Sequence, residues 1–173
     1  ATESDPLLAP AWVNLASGYL QLGKIKEADN GCRKAIELNP NLVNAHFLLS
    51  TSLIAQKKLK EAEASLRQTI ELNPAFIQAH LNLSVVLKDL GLLEAAEVSI
   101  RKAIELNPTL FNAYYLLATI LIGQKKLQEA EVPLRKTIEL KPDFFDAYYT
   151  LATILIGQKK LQEAEVPLRK TIE

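Results

Sequence analysis

The chain has no methionine, one cysteine and one tryptophan, and its 20 basic and 20 acidic side chains cancel. Each scarcity excludes something. A lone Cys32 rules out an internal disulfide framework, and no set of residues around it has metal-ligand spacing, so nothing requires an oxidising compartment and a cytoplasmic location is expected. Zero net charge removes the long-range field with which a protein gathers a phosphate backbone, so nucleic acid is not expected as a partner. The longest apolar runs, such as Leu116 to Gly123, are far shorter than a membrane span, and no charged start followed by an apolar stretch marks a signal peptide.

What the chain has in abundance is repetition. Asn39-Pro40, Asn73-Pro74, Asn107-Pro108 and Lys141-Pro142 follow one another at a fixed step of 34 residues. A strict period of that length predicts stacked helical hairpins, each touching only its neighbours, and a function carried by an extended surface instead of a pocket. In this register residues 1–8 align with the tail of a preceding repeat, and repeats follow at 9–42, 43–76, 77–110, 111–144 and 145–173, the last incomplete. Together with the missing methionine, this leads to the expectation of a single array cut from a longer one, or of a processed or engineered five-repeat protein.

Within each period the spacing is helical. Ala113, Leu117, Ala118 and Leu121 share one face of a first helix over Phe111 to Gln124. Leu127, Ala130, Leu134, Thr137 and Ile138 share one face of a second, which ends at Lys141 because a residue before proline disfavours helical geometry. Lys125-Lys126 marks the turn between them, where other copies place Gly23 or Gly91. Across copies the positions form columns. Ala28, Ala62, Ala96, Ala130 and Ala164 mark a close helix crossing, Ala16, Ser50, Ser84, Ala118 and Ala152 a second small column, and Leu15, Leu49, Leu83, Leu117 and Leu151 the layer beside it.

The pattern Trp12, Leu15, Ala16, Tyr19, Ala28, Cys32, Ala35 and Pro40 resembles the tetratricopeptide repeat signature, with equivalent columns through Ile172. It departs mildly: the large aromatic often found on the second helix is Cys32, Leu66, Ile100, Leu134 or Leu168, and the small column has no glycine. The resemblance implies an all-α superhelix of antiparallel helical hairpins whose first helices line a concave groove for a peptide or helix of a partner protein. Pentatricopeptide repeats, which bind RNA, run close to 35 residues and are commonly basic; neither property is present.

After the core columns are assigned, each first helix keeps a second line of residues at spacings of four and three: Val13, Ser17, Leu20; Phe47, Thr51, Ile54; Leu81, Val85, Lys88; Tyr115, Thr119, Ile122; Tyr149, Thr153, Ile156. A helix apolar on two faces is buried twice or open to a partner. Packing between adjacent first helices competes as an explanation, above all for Val13, Leu81 and Val85, whereas Phe47, Tyr115 and Tyr149 beside Ile54, Ile122 and Ile156 read as a partner-binding patch. Asn14 and Asn82 adjoin this line. Asn44, Gln78, Asn112 and Asp146, near the helix starts, either hold the backbone of an extended ligand or cap the helices. Related arrays grip the C-terminal carboxylate of heat-shock chaperones with cationic and amide side chains. Here Val13, Ser17, Phe47 and Thr51 occupy those positions, so chaperone-tail binding is not expected.

The remaining polar residues read as structural. Acid-then-base pairs four apart (Asp29 with Arg33, Glu63 with Arg67, Glu97 with Arg101, Glu131 with Arg135, Glu165 with Arg169) describe a solvated second-helix face, and the lysine pairs Lys57-Lys58, Lys125-Lys126 and Lys159-Lys160 a solvated basic edge. His46 and His80 share a column with Trp12, Tyr114 and Tyr148, so they are packing residues, not a metal pair, and Cys32 is a small buried hydrophobe. No catalytic set, cofactor site or metal site emerges. Pro133 and Pro167 stand inside the second helix where other copies have Gly31, Ser65 or Ser99, which predicts a bend in the last two units. The expected function is a non-enzymatic protein-interaction scaffold binding a peptide or helix in its groove. The alternative is a substrate-recruiting or oligomerising segment of a larger multidomain enzyme, with self-association through array ends, at Leu168 and Ile172, as a further possibility.

Overall fold

The computed structural model describes residues 8–171, which hold ten helices and no strand. The chain divides into two compact units, residues 1–90 and 91–173, the division falling at the turn within the repeat assigned to 77–110. The expected tail of a preceding repeat lies, but for Leu8, outside the described residues.

In the first unit α1 (Leu8–Gln21), α2 (Ile25–Leu38), α3 (Val43–Ala55), α4 (Leu59–Leu72) and α5 (Ile77–Asp89) each pack on the next. The second unit follows the same rule with α6 (Leu93–Leu106), α7 (Phe111–Gly123), α8 (Leu127–Leu140), α9 (Phe145–Gly157) and α10 (Leu161–Lys170). The fold is an all-α solenoid of helical hairpins. Odd-numbered helices are the first helices of the repeats and even-numbered helices the second.

Small residues set the hairpin crossing. Ala28, Ala62, Ala96 and Ala130 are fully buried and Ala164 nearly so, while Ala16, Ser50, Ser84, Ala118 and Ala152 are sealed in the facing column. In the first hairpin a Cβ built on Gly31 would stand 3.2 Å from the Ala16 Cβ. The leucine layer is buried at Leu49, Leu83, Leu117 and Leu151 but not at Leu15, which is 43% exposed.

The two turns of each repeat have different chemistry. Between the helices of a hairpin the chain enters the left-handed region at Gly23, Lys57, Gly91, Lys125 and Lys159, with φ of 70°, 58°, 77°, 64° and 62°. At Lys57 and Lys58 the backbone N–H groups return to Ile54 O and Leu53 O, both at 2.9 Å, closing a Schellman cap that recurs at Lys125 and Lys159. Glycine meets this geometry without a side-chain clash and lysine does not, so three of the five turns are strained. Between hairpins, Asn39, Asn73 and Asn107 leave the helix in extended geometry, as a following proline requires. Their side-chain oxygens accept the N–H of the residue two positions on, at 3.0 to 3.1 Å. Lys141 takes the same extended geometry without that side-chain bond.

One expectation is corrected. Asn44, Gln78, Asn112 and Asp146 do not cap their helices: the N-cap positions fall on Leu42, Phe76, Leu110 and Phe144, none with a side-chain cap bond. The helices that carry the inserted prolines are continuous, α8 through Pro133 and α10 through Pro167. Proline lacks the N–H that would bond the carbonyl four residues back, yet a single lost bond leaves the flanking turns intact.

Candidate functional site

Charge on the second helices is organised more tightly than a solvated face requires. All five acid-then-base pairs form, but the acids of four are largely sunk between helices while the arginines lie outside: Glu63, Glu97 and Glu131 side chains are only 16–17% exposed against 53–57% for Arg67, Arg101 and Arg135. A group from the following repeat reaches back to three of these acids. Gln56 Nε2 donates to Asp29 at 2.9 Å, Lys126 Nζ to Glu97 at 3.1 Å and Lys160 Nζ to Glu131 at 3.2 Å. The hydrogen bond from Arg135, with help from Lys160, holds the Glu131 carboxyl below its ordinary range against the opposing effect of burial. For Asp29 burial is the largest influence and acts upward, but the bonds from Arg33 and Gln56 together outweigh it. The second lysines at Lys126 and Lys160 therefore clamp consecutive repeats instead of forming a free basic edge.

The residues weighed for chemistry are structural. His46 and His80 lie 2.8 and 2.9 Å, through Nε2, from the carbonyls of Pro40 and Pro74; a carbonyl only accepts, so each ring donates to the inter-repeat turn. Cys32 is fully buried, and burial pushes its thiol up to about 12, far from a reactive thiolate. Among the described residues no cluster of metal-ligating side chains occurs and no helix is long and apolar enough to cross a membrane.

The groove line is placed as follows. On α3, Phe47 is half-buried with its ring 4.9 Å from that of Phe76, Thr51 donates its hydroxyl to the Phe47 carbonyl, and Ile54 is half-buried. On α5, Asn82 accepts a 3.0 Å bond from Gln78, while Leu81 is buried and Val85 exposed. In the second unit, Tyr115 stands perpendicular to Phe144 at 5.0 Å, and its hydroxyl lies 3.5 Å from Thr150 Oγ1, which brings the lines of α7 and α9 side by side. Thr119 and Thr153 satisfy their hydroxyls on Leu116 O and Tyr149 O, and Ile122 is half-buried. Tyr149 is 64% exposed, Ile156 45% and Phe145 53%. The aromatic line thus divides. Phe47 and Tyr115 hold the following turn through Phe76 and Phe144, and Tyr149 is open.

Sequence reading missed a second kind of concavity. On the second-helix side of the second unit, Tyr114, Leu117 and Leu121 floor a cleft of about 640 Å³ walled by Val132 and Pro133. Tyr148, Leu151, Val166 and Pro167 repeat it at about 510 Å³. The column Val98, Val132 and Val166, each exposed to 68–71%, is the signal in the sequence that pointed there. Leu168, expected at an open end, is 38% exposed, and Ile172 lies outside the described residues.

Antiparallel hairpins repeated every 34 residues, with alanine columns at each crossing and an apolar line on the first helices, define an α-helical repeat protein. Tetratricopeptide repeat models match residues 9–42, 43–76, 77–110 and 100–132, and the chain belongs to the tetratricopeptide repeat family. Comparison with curated proteins gives no match. Among solved structures, MamA residues 41 to the end from Desulfovibrio magneticus RS-1 superposes with a TM-score of 0.89 at 18% identity, covering 95% of this chain and 93% of that one. YrrB, a TPR protein with an unusual peptide-binding site, gives 0.84 at 21% identity over 93% of this chain and 83% of that chain. PilF of Pseudomonas aeruginosa gives 0.81 at 21% identity, with 95% and 75% covered. At these identities the likeness concerns the fold.

Proposed function

We propose that this array is a non-enzymatic protein-interaction scaffold that receives a peptide or helix of a partner along its first helices. The observation that carries the reading is the distribution of charge. The first helices, α1, α3, α5, α7 and α9, carry only Lys88, Asp89 and Asp146 as formal charges, whereas every second helix is rich in them. Burial accounts for the side of each first helix that meets its hairpin partner. It does not account for the other side, where Tyr149, Ile156, Val85 and the half-buried Phe47, Ile54, Tyr115 and Ile122 keep an apolar surface beside Thr51, Asn82, Thr119 and Thr153. Exposed aromatic and aliphatic residues interleaved with small hydroxyls suit a peptide anchored by apolar side chains. The peptide-binding site named for YrrB agrees with this reading.

The test is affinity capture from source-cell lysate, comparing the wild type with Tyr149→Ala/Ile156→Ala, chosen because both side chains are exposed. A Val132→Glu/Val166→Glu variant on the other side serves as the control. Partners lost from the first variant and kept by the second place recognition on the first helices. The reverse pattern moves recognition to the second-helix clefts and overturns the proposal.

A further inference from the structure

Asp146 stands out on the first helices. Lys88 and Asp89 lie adjacent and face each other at 3.8 Å, which leaves Asp146 as the uncompensated charge on α9, exposed and with no ion pair among the described residues. The nearest cation in sequence, Lys141, has its ammonium over the Phe111 ring at 5.0 Å. An acid near a helix start is favourable on dipole grounds, but α1, α3, α5 and α7 form with none in their first turn, so a first helix of this array does not require one.

Its position within the repeats narrows the meaning. Residues 111–139 and 145–173 are identical except where Asn112 becomes Asp146 and Leu116 becomes Thr150. These two positions are four residues apart, one helical turn, and so lie on one line of the first helix. The hydrogen bond between Gln78 and Asn82, the same two positions in an earlier repeat, shows that side chains on this line meet. On α9 the line flanks exposed Tyr149, and Thr150 Oγ1 donates to the Asp146 carbonyl at 2.7 Å, leaving the carboxylate free. Everything else in the duplicated unit is held fixed while one line changes from amide and leucine to carboxylate and hydroxyl.

Resting on the groove reading above, we infer that the partner of the second unit is an apolar, aromatic-bearing peptide segment with a lysine or arginine set to meet Asp146. No cationic side chain of α7 or α9 competes for that carboxylate, and none would welcome an acidic peptide or a terminal carboxylate. The sign of the site is opposite to that of a carboxylate clamp.

The experiment uses three pools of capped peptides on an array, with randomised Phe, Leu and Ala around one central Lys, Gln or Glu. They are probed with the full chain, with Asp146→Asn and with Tyr149→Ala. Asn is the residue of the preceding repeat at this position, so Asp146→Asn retains the fold. An exposed charge pair is worth about 0.2 to 1 kcal/mol, so the Lys pool is expected to bind roughly 1.4- to fivefold more tightly than the Gln pool, with Glu weakest. Asp146→Asn equalises Lys and Gln, 0.5 M salt does the same, and Tyr149→Ala weakens all three pools together. Equal binding of Lys and Glu pools, or a Lys preference that survives Asp146→Asn, overturns the inference and leaves the groove reading standing. Binding indifferent to Tyr149→Ala, or absent in every pool, overturns the groove reading and this inference with it.

Discussion

Relieving the left-handed lysines should stabilise the array. Lys57, Lys125 and Lys159 hold φ of 58° to 64° at the position where Gly23 and Gly91 end their helices. For a residue with a Cβ this geometry costs about 1 to 2 kcal/mol. Replacing lysine by glycine removes that strain but gives the unfolded chain more freedom, which returns about 0.4 to 1 kcal/mol. The expected net gain is therefore about 0.5 to 1 kcal/mol for each of Lys57→Gly, Lys125→Gly and Lys159→Gly. No ion pair is given up, because it is Lys126 and Lys160, not their neighbours, that reach Glu97 and Glu131. Sites a repeat or more apart share no partners, so Lys57→Gly and Lys125→Gly should add, to about 1 to 2 kcal/mol together. For a chain of this size that amounts to an increase in midpoint temperature of a few degrees, about 2 to 4 °C per kcal/mol. Urea and thermal unfolding followed by far-ultraviolet circular dichroism measures it. Lys58→Gly is the control, since Lys58 sits at φ −85° where glycine relieves nothing and only loosens the unfolded chain. Lys57→Gly and Lys125→Gly midpoints at or below wild type, or equal to that of Lys58→Gly, would refute the reasoning.

Pro133→Ser restores both the residue type of Ser65 and Ser99 and the missing N–H, and is expected to raise stability by about 1 to 3 kcal/mol in the same assay; no gain would mean that the buried ring compensates by packing. The Glu131 carboxyl is depressed in the fold, so its contribution is complete above the ordinary value of 4.5 and is lost as pH falls through the folded value; Glu131→Gln should flatten the acid limb of the stability profile, and an unchanged limb would contradict the clamp. Cys32, fully buried with its thiol pushed up to about 12, is expected to react with a thiol reagent only at the rate of unfolding, so labelling faster than unfolding in matched urea would show a local opening of α2.

Much of the scaffold was legible because a repeat repeats its constraints. Five alanines at one step of 34 residues leave a close crossing as the simplest explanation, and all five are buried. The histidines were readable by the same means, since their column also holds Trp12, Tyr114 and Tyr148. What was not legible depends on contacts between repeats. Phe76 and Phe144 stand just before their first helices and look like loop hydrophobes, yet they cover Phe47 and Tyr115 and so decide which groove aromatics remain open. Charge pairs four apart predicted the arginine partners but not Lys126 or Lys160, whose targets lie 29 residues away. The capping role of Asn44 and its equivalents failed because each helix starts two residues earlier than a cap at those positions requires, leaving them inside the first turn.

The division of labour between the two helices ties these observations to function. Second helices carry the ion pairs, and in two of them a turn lysine from the next repeat completes the pair, so neighbouring hairpins are held by charge as well as by the leucine and alanine layers. Such clamps are individually weak at the surface, but half-buried acids with two donors each are stronger and fix register. With register held there, the first helices need no charge for stacking. Their outward line is then free to vary without unfolding the array, and it is on this line that the two near-identical repeats differ. On the proposed reading of the first helices, a scaffold built this way would change what it recognises by substituting one or two residues per repeat, and the exchange of Asn112 for Asp146 and Leu116 for Thr150 is a change of that size.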